Sequence, residues 1–116
     1  VIVEGSPDHI AQMIDKLLDN AMDFCVPSQP VSISLSVWYQ QAILKVMNIG
    51  KPLPEGMQER LFDPMISLRQ TGDSRSHLGM GLYIVKLIAN AHGGTVVARN
   101  NEAGNGVVFE VKLPLA

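Results

Sequence analysis

The run Val31-Ser32-Ile33-Ser34-Leu35-Ser36-Val37-Trp38 alternates apolar and polar residues, and Gln41-Ala42-Ile43-Leu44-Lys45-Val46-Met47 is a second apolar run. A period of two is the signature of a strand with one buried and one wet face, so Val31, Ile33, Leu35 and Val37 are expected to face a core. Tyr39-Gln40 leaves two residues to reverse the chain, which predicts a β-hairpin. Upstream, Ile10, Met13, Ile14, Leu17, Leu18 and Ala21 recur at steps of three and four, the stripe of an amphipathic helix of about five turns. Ser6-Pro7 is its start signal, since Ser6 caps free N–H groups and proline is tolerated in the first turn. The helix is expected to end near Phe24, before Pro27 and Pro30. Residues 1–3 read as a short leading strand.

Downstream, Gly50, Pro52 and Pro54 mark a loop, and residues 57–61 form one or two helical turns. Residues 66–78 lack apolar periodicity and read as a mobile loop. A second long helix, residues 80–92, carries Leu82, Ile84, Val85, Ile88 and Ala89 and stops at Gly93-Gly94. Residues 95–100 and 106–113 are the last two strands. The order strand, helix, two strands, short helix, loop, helix, two strands predicts an α/β two-layer sandwich. Its sheet is mixed and mostly antiparallel, with the helices on one face.

Composition narrows the function classes. The 116 residues make one domain, and 47% hydrophobic against 17% charged residues supports a core rather than a disordered tail. Nine basic and eleven acidic residues give a net charge of −2, which argues against a nucleic-acid binder. The single Cys25 allows no internal disulfide and fits a reducing compartment. No apolar run approaches the ~18 residues of a membrane span, and no signal peptide is evident. A start at Val1 rather than Met points to a piece of a larger protein.

Three segments depart from what a core requires. Asn20 sits within Leu17-Leu18-Asp19-Asn20-Ala21, where an amide is either a wet-face residue or a functional one. Asn48-Ile49-Gly50-Lys51-Pro52 follows a strand and is either an ordinary turn or a close backbone approach to a ligand. Gly79-Met80-Gly81-Leu82 opens the second long helix, where free N–H groups and the helix dipole favour an anion; the plainer reading is a hinge.

Taken together and in this order, these segments resemble the catalytic ATP-binding domain of bacterial sensor histidine kinases. That domain has the Bergerat fold shared with gyrase, heat-shock chaperone and mismatch-repair ATPases. Leu17-Leu18-Asp19-Asn20-Ala21 resembles the N box, and Asn48-Ile49-Gly50 stands where the first glycine box is expected. Glu59-Arg60-Leu61-Phe62-Asp63-Pro64-Met65 resembles the F box, and Gly79-Met80-Gly81-Leu82 the second glycine box. His92-Gly93-Gly94 and Gly106-Val107-Val108-Phe109 complete the pattern across the whole chain. The run from Asn48 to Met65 is similar to kinases of proteobacterial dedicated sortase systems.

The resemblance implies the following assignments. Asn20 ligates the Mg²⁺ that bridges the ATP phosphates. Lys16, Phe24, Asn48, Gly50, Arg69, Gly79, Met80, Gly81 and Leu82 contact the nucleotide. Residues 66–78 form the ATP lid, with Arg69 and Arg75 placed to neutralise phosphate charge. The chain departs from the pattern at four contacts. Lys16 replaces the first asparagine of the N box, and Asp23 replaces a basic residue. Asn48 replaces the aspartate that reads adenine, and Pro52 replaces a glycine. Lys16 and Asp23 are either plain surface charges or a swap in which Lys16 supplies the missing positive charge. His77 stands at the lid hinge in place of a glycine.

The implied activity is to bind Mg-ATP and present the γ-phosphate to a histidine on a separate dimerisation and phosphotransfer domain of the same protein. A response regulator then receives the group. His9, His77 and His92 do not stand in an acceptor context, so no catalytic residue is assigned to this chain and it is not expected to phosphorylate itself. The expected setting is the cytoplasmic part of a bacterial inner-membrane sensor, with the isolated domain monomeric and the parent homodimeric. The alternative is a degenerate, non-catalytic nucleotide-binding or signal-relay module. An anti-sigma-factor serine kinase or a gyrase-like ATPase is a more distant reading.

Overall fold

The computed structural model describes residues 2–24, 29–63 and 78–116. Helix α1 runs Pro7–Phe24. The Ser6 hydroxyl accepts the His9 N–H at 3.3 Å, and the Ser6 carbonyl takes the first helical bond from Ile10, so the Ser6-Pro7 start signal acts as read. Strands β1 (Ser32–Trp38) and β2 (Gln41–Ile49) form the hairpin. Its two turn residues, Tyr39 and Gln40, hold φ of 48° and 63°, the mirror-image turn that matches strand twist. Helix α2 (Met57–Arg60) is one turn, entered through Gly56 at φ 82°. Helix α3 spans Leu78–Ala91, two residues earlier than the periodicity suggested, so Gly79, Met80 and Gly81 lie inside its first turn. It ends as expected, with Gly93 at φ 77° and the Gly94 N–H reaching back to the Ala89 carbonyl at 2.9 Å. Strands β3 (Thr95–Asn100) and β4 (Gly106–Pro114) complete the chain.

The sheet order is β1-β2-β4-β3, and all three pairings are antiparallel. Helix α1 packs over β2, helix α3 over β3 and β4, and the two helices pack on each other. Both therefore cover one face, as the two-layer reading requires. Between the layers lie Met13, Leu17 and Ala21 of α1, Leu82, Val85 and Ala89 of α3, and Val46, Phe109 and Val111 of the sheet. Phe62, from the segment resembling the F box, joins this core edge-on to Phe109, with ring centroids 6.5 Å apart. On the open face, Glu110 draws in Arg99, Lys45 and Lys112 at 3.5, 3.7 and 3.9 Å.

Two expectations are corrected. Ile33, Leu35 and Val37 do not face a core: they are 54, 57 and 50% exposed. β1 is the edge strand, and the two long helices sit over the other three strands, so its apolar row projects past the helical layer. Residues 2–4 do not form a strand either. The Ile2 carbonyl accepts one bond, from the Ala116 N–H, and Val3 packs on the core edge, so the segment is held by the C-terminus rather than by a ladder. Val1 lies outside the described residues, as do Arg69, Arg75, His77 and the lid interval up to residue 77.

Candidate functional site

Among the described residues, two polar side chains are buried, and both are asparagines singled out from the sequence: Asn20 at 6% exposure and Asn48 at 1%. Asn20 lies three residues after Leu17 on the covered side of α1, so the wet-face reading does not hold. Asn48 is at the end of β2, opposite Val107 of β4. Its Nδ2 is buried and has no hydrogen-bond partner among the described residues. A buried amide donor left unpaired costs ~1–3 kcal/mol, so an acceptor brought to Nδ2 by a ligand would recover free energy.

Lys16 stands one turn before Asn20 and is half-buried. Its Cδ lies 3.8 Å from where a β-carbon on Gly81 would stand, so the lysine stem packs beside the first turn of α3. This juxtaposition joins two of the sequence signals. It sets a flexible cation next to a helix start whose first turn holds no acidic residue. The backbones of Gly79 and Met80 are in that same turn, and Phe24 is the last residue of α1. Leu82 is part of the core, so a contact from it to a ligand would run through its backbone. Gly50 is buried, and its N–H is committed to the Asn105 carbonyl at 2.8 Å.

Three positioning features escaped the sequence reading. Asn100 clamps the loop after Asn48: its Oδ1 accepts the Leu53 N–H at 2.7 Å and its Nδ2 donates to the Leu53 carbonyl at 3.2 Å. A side-chain amide thus replaces a rung of ladder where Pro52 and Pro54 cannot donate. Gly106 lets β4 approach β2, since a β-carbon there would collide with the Asn48 carbonyl oxygen. His92 ties the start of α1 to the end of α3. Its Nδ1–H donates to the Ile88 carbonyl at 2.8 Å, which leaves Nε2 to accept the Ser6 N–H at 3.1 Å. A glycine at a strand start was the available signal for Gly106, whereas Asn100 stands 47 residues from Leu53 and carried none. The His92 link joins residues 86 apart in sequence and had none.

No group of three or more His, Cys, Asp and Glu able to hold a metal occurs among the described residues. A single amide oxygen such as that of Asn20 could serve a hard cation that draws its other ligands from phosphate oxygens and water.

Residues 5–116 match the model of the histidine kinase-, DNA gyrase B- and HSP90-like ATPases. The chain belongs to this ATPase family. Among its relatives within the family is the sensor protein CutS of Streptomyces coelicolor, 34% identical over 117 residues. That match takes in 98% of this chain and 28% of CutS, so the chain spans about a quarter of its relative's length. The catalytic domain of histidine kinase ThkA superposes with a TM-score of 0.82 at 31% identity, covering 97% of this chain and 70% of that one. ThkA is also similar as solved in complex with the response regulator TrrA, with a TM-score of 0.79 at 29% identity over 98% of this chain and 30% of that one. Full-length ShkA in complex with AMPPNP aligns at a TM-score of 0.77 and 25% identity over 93% of this chain and 22% of that one. Membership in a family of ATPases supports ATP as the class of ligand.

Proposed function

We propose that this chain is the nucleotide-binding part, over residues 1–116, of a sensor histidine kinase in two-component signalling. It holds Mg-ATP and offers the γ-phosphoryl group to a histidine on a separate dimerisation and phosphotransfer domain. The observation that carries the reading is the burial of Asn20 and Asn48 as the two enclosed polar side chains among the described residues, one of them with a donor that has no partner among those residues. Neither is explained by the packing of the core, and both stand where the family resemblance puts nucleotide contacts.

In this reading Asn48 meets the base and the Asn20 Oδ1 meets Mg²⁺. Lys16 and the N–H groups of Gly79, Met80 and Gly81 meet the phosphates, with Phe24, Gly50, Arg69 and Leu82 completing the surround. Bound Mg-ATP supplies the transferable phosphoryl group. The residues of this chain supply position and charge, the two contributions that phosphoryl transfer draws from a protein. Lys16 replaces the cation that Asp23 denies the site; that it packs against Gly81 supports the swap. The acceptor histidine lies on the other domain, and a response regulator takes the group onward. The relatives named as sensor proteins, and the related kinase solved with a response regulator, support that assignment. The parent is read as a homodimer at the bacterial inner membrane, with this domain cytoplasmic and monomeric alone. No described helix is long and apolar enough to cross a membrane.

Calorimetric titration with a non-hydrolysable ATP analogue tests the reading. Micromolar binding that strengthens with Mg²⁺, and loses that increment in Asn20→Ala, is expected. Absence of heat at millimolar analogue would refute it. That result would favour a non-catalytic relay module, the reading to which Asp23 and Asn48 lend weight.

A further inference from the structure

Asn48 offers a base something a carboxylate cannot. A carboxylate accepts hydrogen bonds and donates none, whereas a side-chain amide does both. The difference falls on the purine edge. Adenine presents an amino donor at C6 and an acceptor at N1; hypoxanthine and guanine present a carbonyl acceptor at C6 and an N1–H donor. A buried aspartate pairs with the adenine amino group and faces the carbonyl of a 6-oxopurine with a second acceptor. A site built around a hydrogen bond rejects the mismatched ligand by up to ~10⁴-fold for that reason.

Asn48 lacks that means of rejection. Its Nδ2 is enclosed, 1% of the residue is exposed, and the donor has no partner among the described residues. Gly106, with no β-carbon to collide with the Asn48 carbonyl oxygen, lets β4 lie close, and the Gly50 N–H is bound to the Asn105 carbonyl, so the backbone on either side is held while the side-chain Nδ2 has no partner among the described residues. Turned one way, the amide pairs with the amino group and N1 of adenine. Turned the other, it pairs with the carbonyl and N1–H of a 6-oxopurine.

Resting on the assignment of Asn48 to the base, we infer that this site does not select adenine: it takes 6-oxopurine nucleoside triphosphates at affinities within about tenfold of that for ATP. Titration of the chain with ATP, ITP and GTP in the presence of Mg²⁺ tests this. ITP differs from ATP at the C6–N1 edge alone, and GTP adds the 2-amino group. ITP binding within tenfold of ATP supports the inference. The variant Asn48→Asp should bind ITP at least a hundredfold more weakly than it binds ATP, and a circular dichroism melt without nucleotide reports whether the variant is folded. A preference for ATP over ITP greater than tenfold in the unaltered chain overturns the inference and leaves the ATP site standing. Failure to bind any of the three overturns the site itself.

Discussion

Asn48→Leu should make the ligand-free chain more stable and unable to bind nucleotide. The two side chains have the same number of heavy atoms, so the change needs little repacking. What it removes is a buried donor without a partner among the described residues, a group whose desolvation costs ~1–3 kcal/mol. What it adds is apolar area in a 1%-exposed position between the sheet and the helices, which leans the same way. Setting part of that gain against the tetrahedral rather than planar Cγ of leucine leaves a net stabilisation of about 1–3 kcal/mol. In a domain of this size each kcal/mol moves the thermal midpoint by roughly 4 °C, so the midpoint should rise by roughly 4–12 °C. Circular dichroism melts and urea titrations without nucleotide read the stability, and calorimetry reads the lost binding. A ligand-free midpoint lower than that of the unaltered chain would refute the reasoning. It would mean that the amide is already paired in solution and serves the fold rather than a ligand.

Tyr39 and Gln40 both occupy the left-handed region at the hairpin tip, so replacing them with Asn-Gly should raise unfolding free energy by about 1 kcal/mol in urea titrations. Asn100→Ala removes both bonds to Leu53 and should cost about 1–3 kcal/mol; faster amide exchange in residues 50–56 would locate the loss. Gly94→Ala would drive a β-carbon into the Lys112 carbonyl oxygen and should destabilise by about 3 kcal/mol, seen as a lowered melting midpoint. Glu110→Gln leaves Lys45, Arg99 and Lys112 crowded around a neutral side chain; the loss should be about 1 kcal/mol or less and should fade in 1 M salt.

The elements were legible where periodicity and punctuation act locally. The stripe from Ile10 to Ala21, Ser6-Pro7 before it, the two-residue hairpin link and Gly93-Gly94 each impose their structure through neighbours in sequence. Burial is not local. The alternation of Ile33, Leu35 and Val37 announces a strand with an apolar face, but whether a helix reaches that face depends on where α1 and α3 settle. Asn20 shows the converse: its chemistry alone left the wet face open, and the packing of α1 closed it. The motif residues Asn20, Asn48 and Gly81 were readable through their resemblance to a family. The parts that hold them were not: the amide of Asn100 imitates a backbone rung, and the Lys16 stem meets Gly81 across two helices far apart in sequence.

The bare edge of β1 has a practical consequence. Ser32–Trp38 carries no charge and no proline, its outer hydrogen-bonding groups face no strand among the described residues, and Trp38 and Tyr39 extend the apolar row at its tip. Natural proteins guard such edges with lysine, bulges or proline, and an unguarded one invites a second molecule to zip on. The isolated domain, monomeric at low concentration, should therefore aggregate through β1 as its concentration rises, with a solubility ceiling set by one strand rather than by its net charge of −2. A charged residue at Leu35, exposed and away from the asparagines, should lift that ceiling without touching the fold.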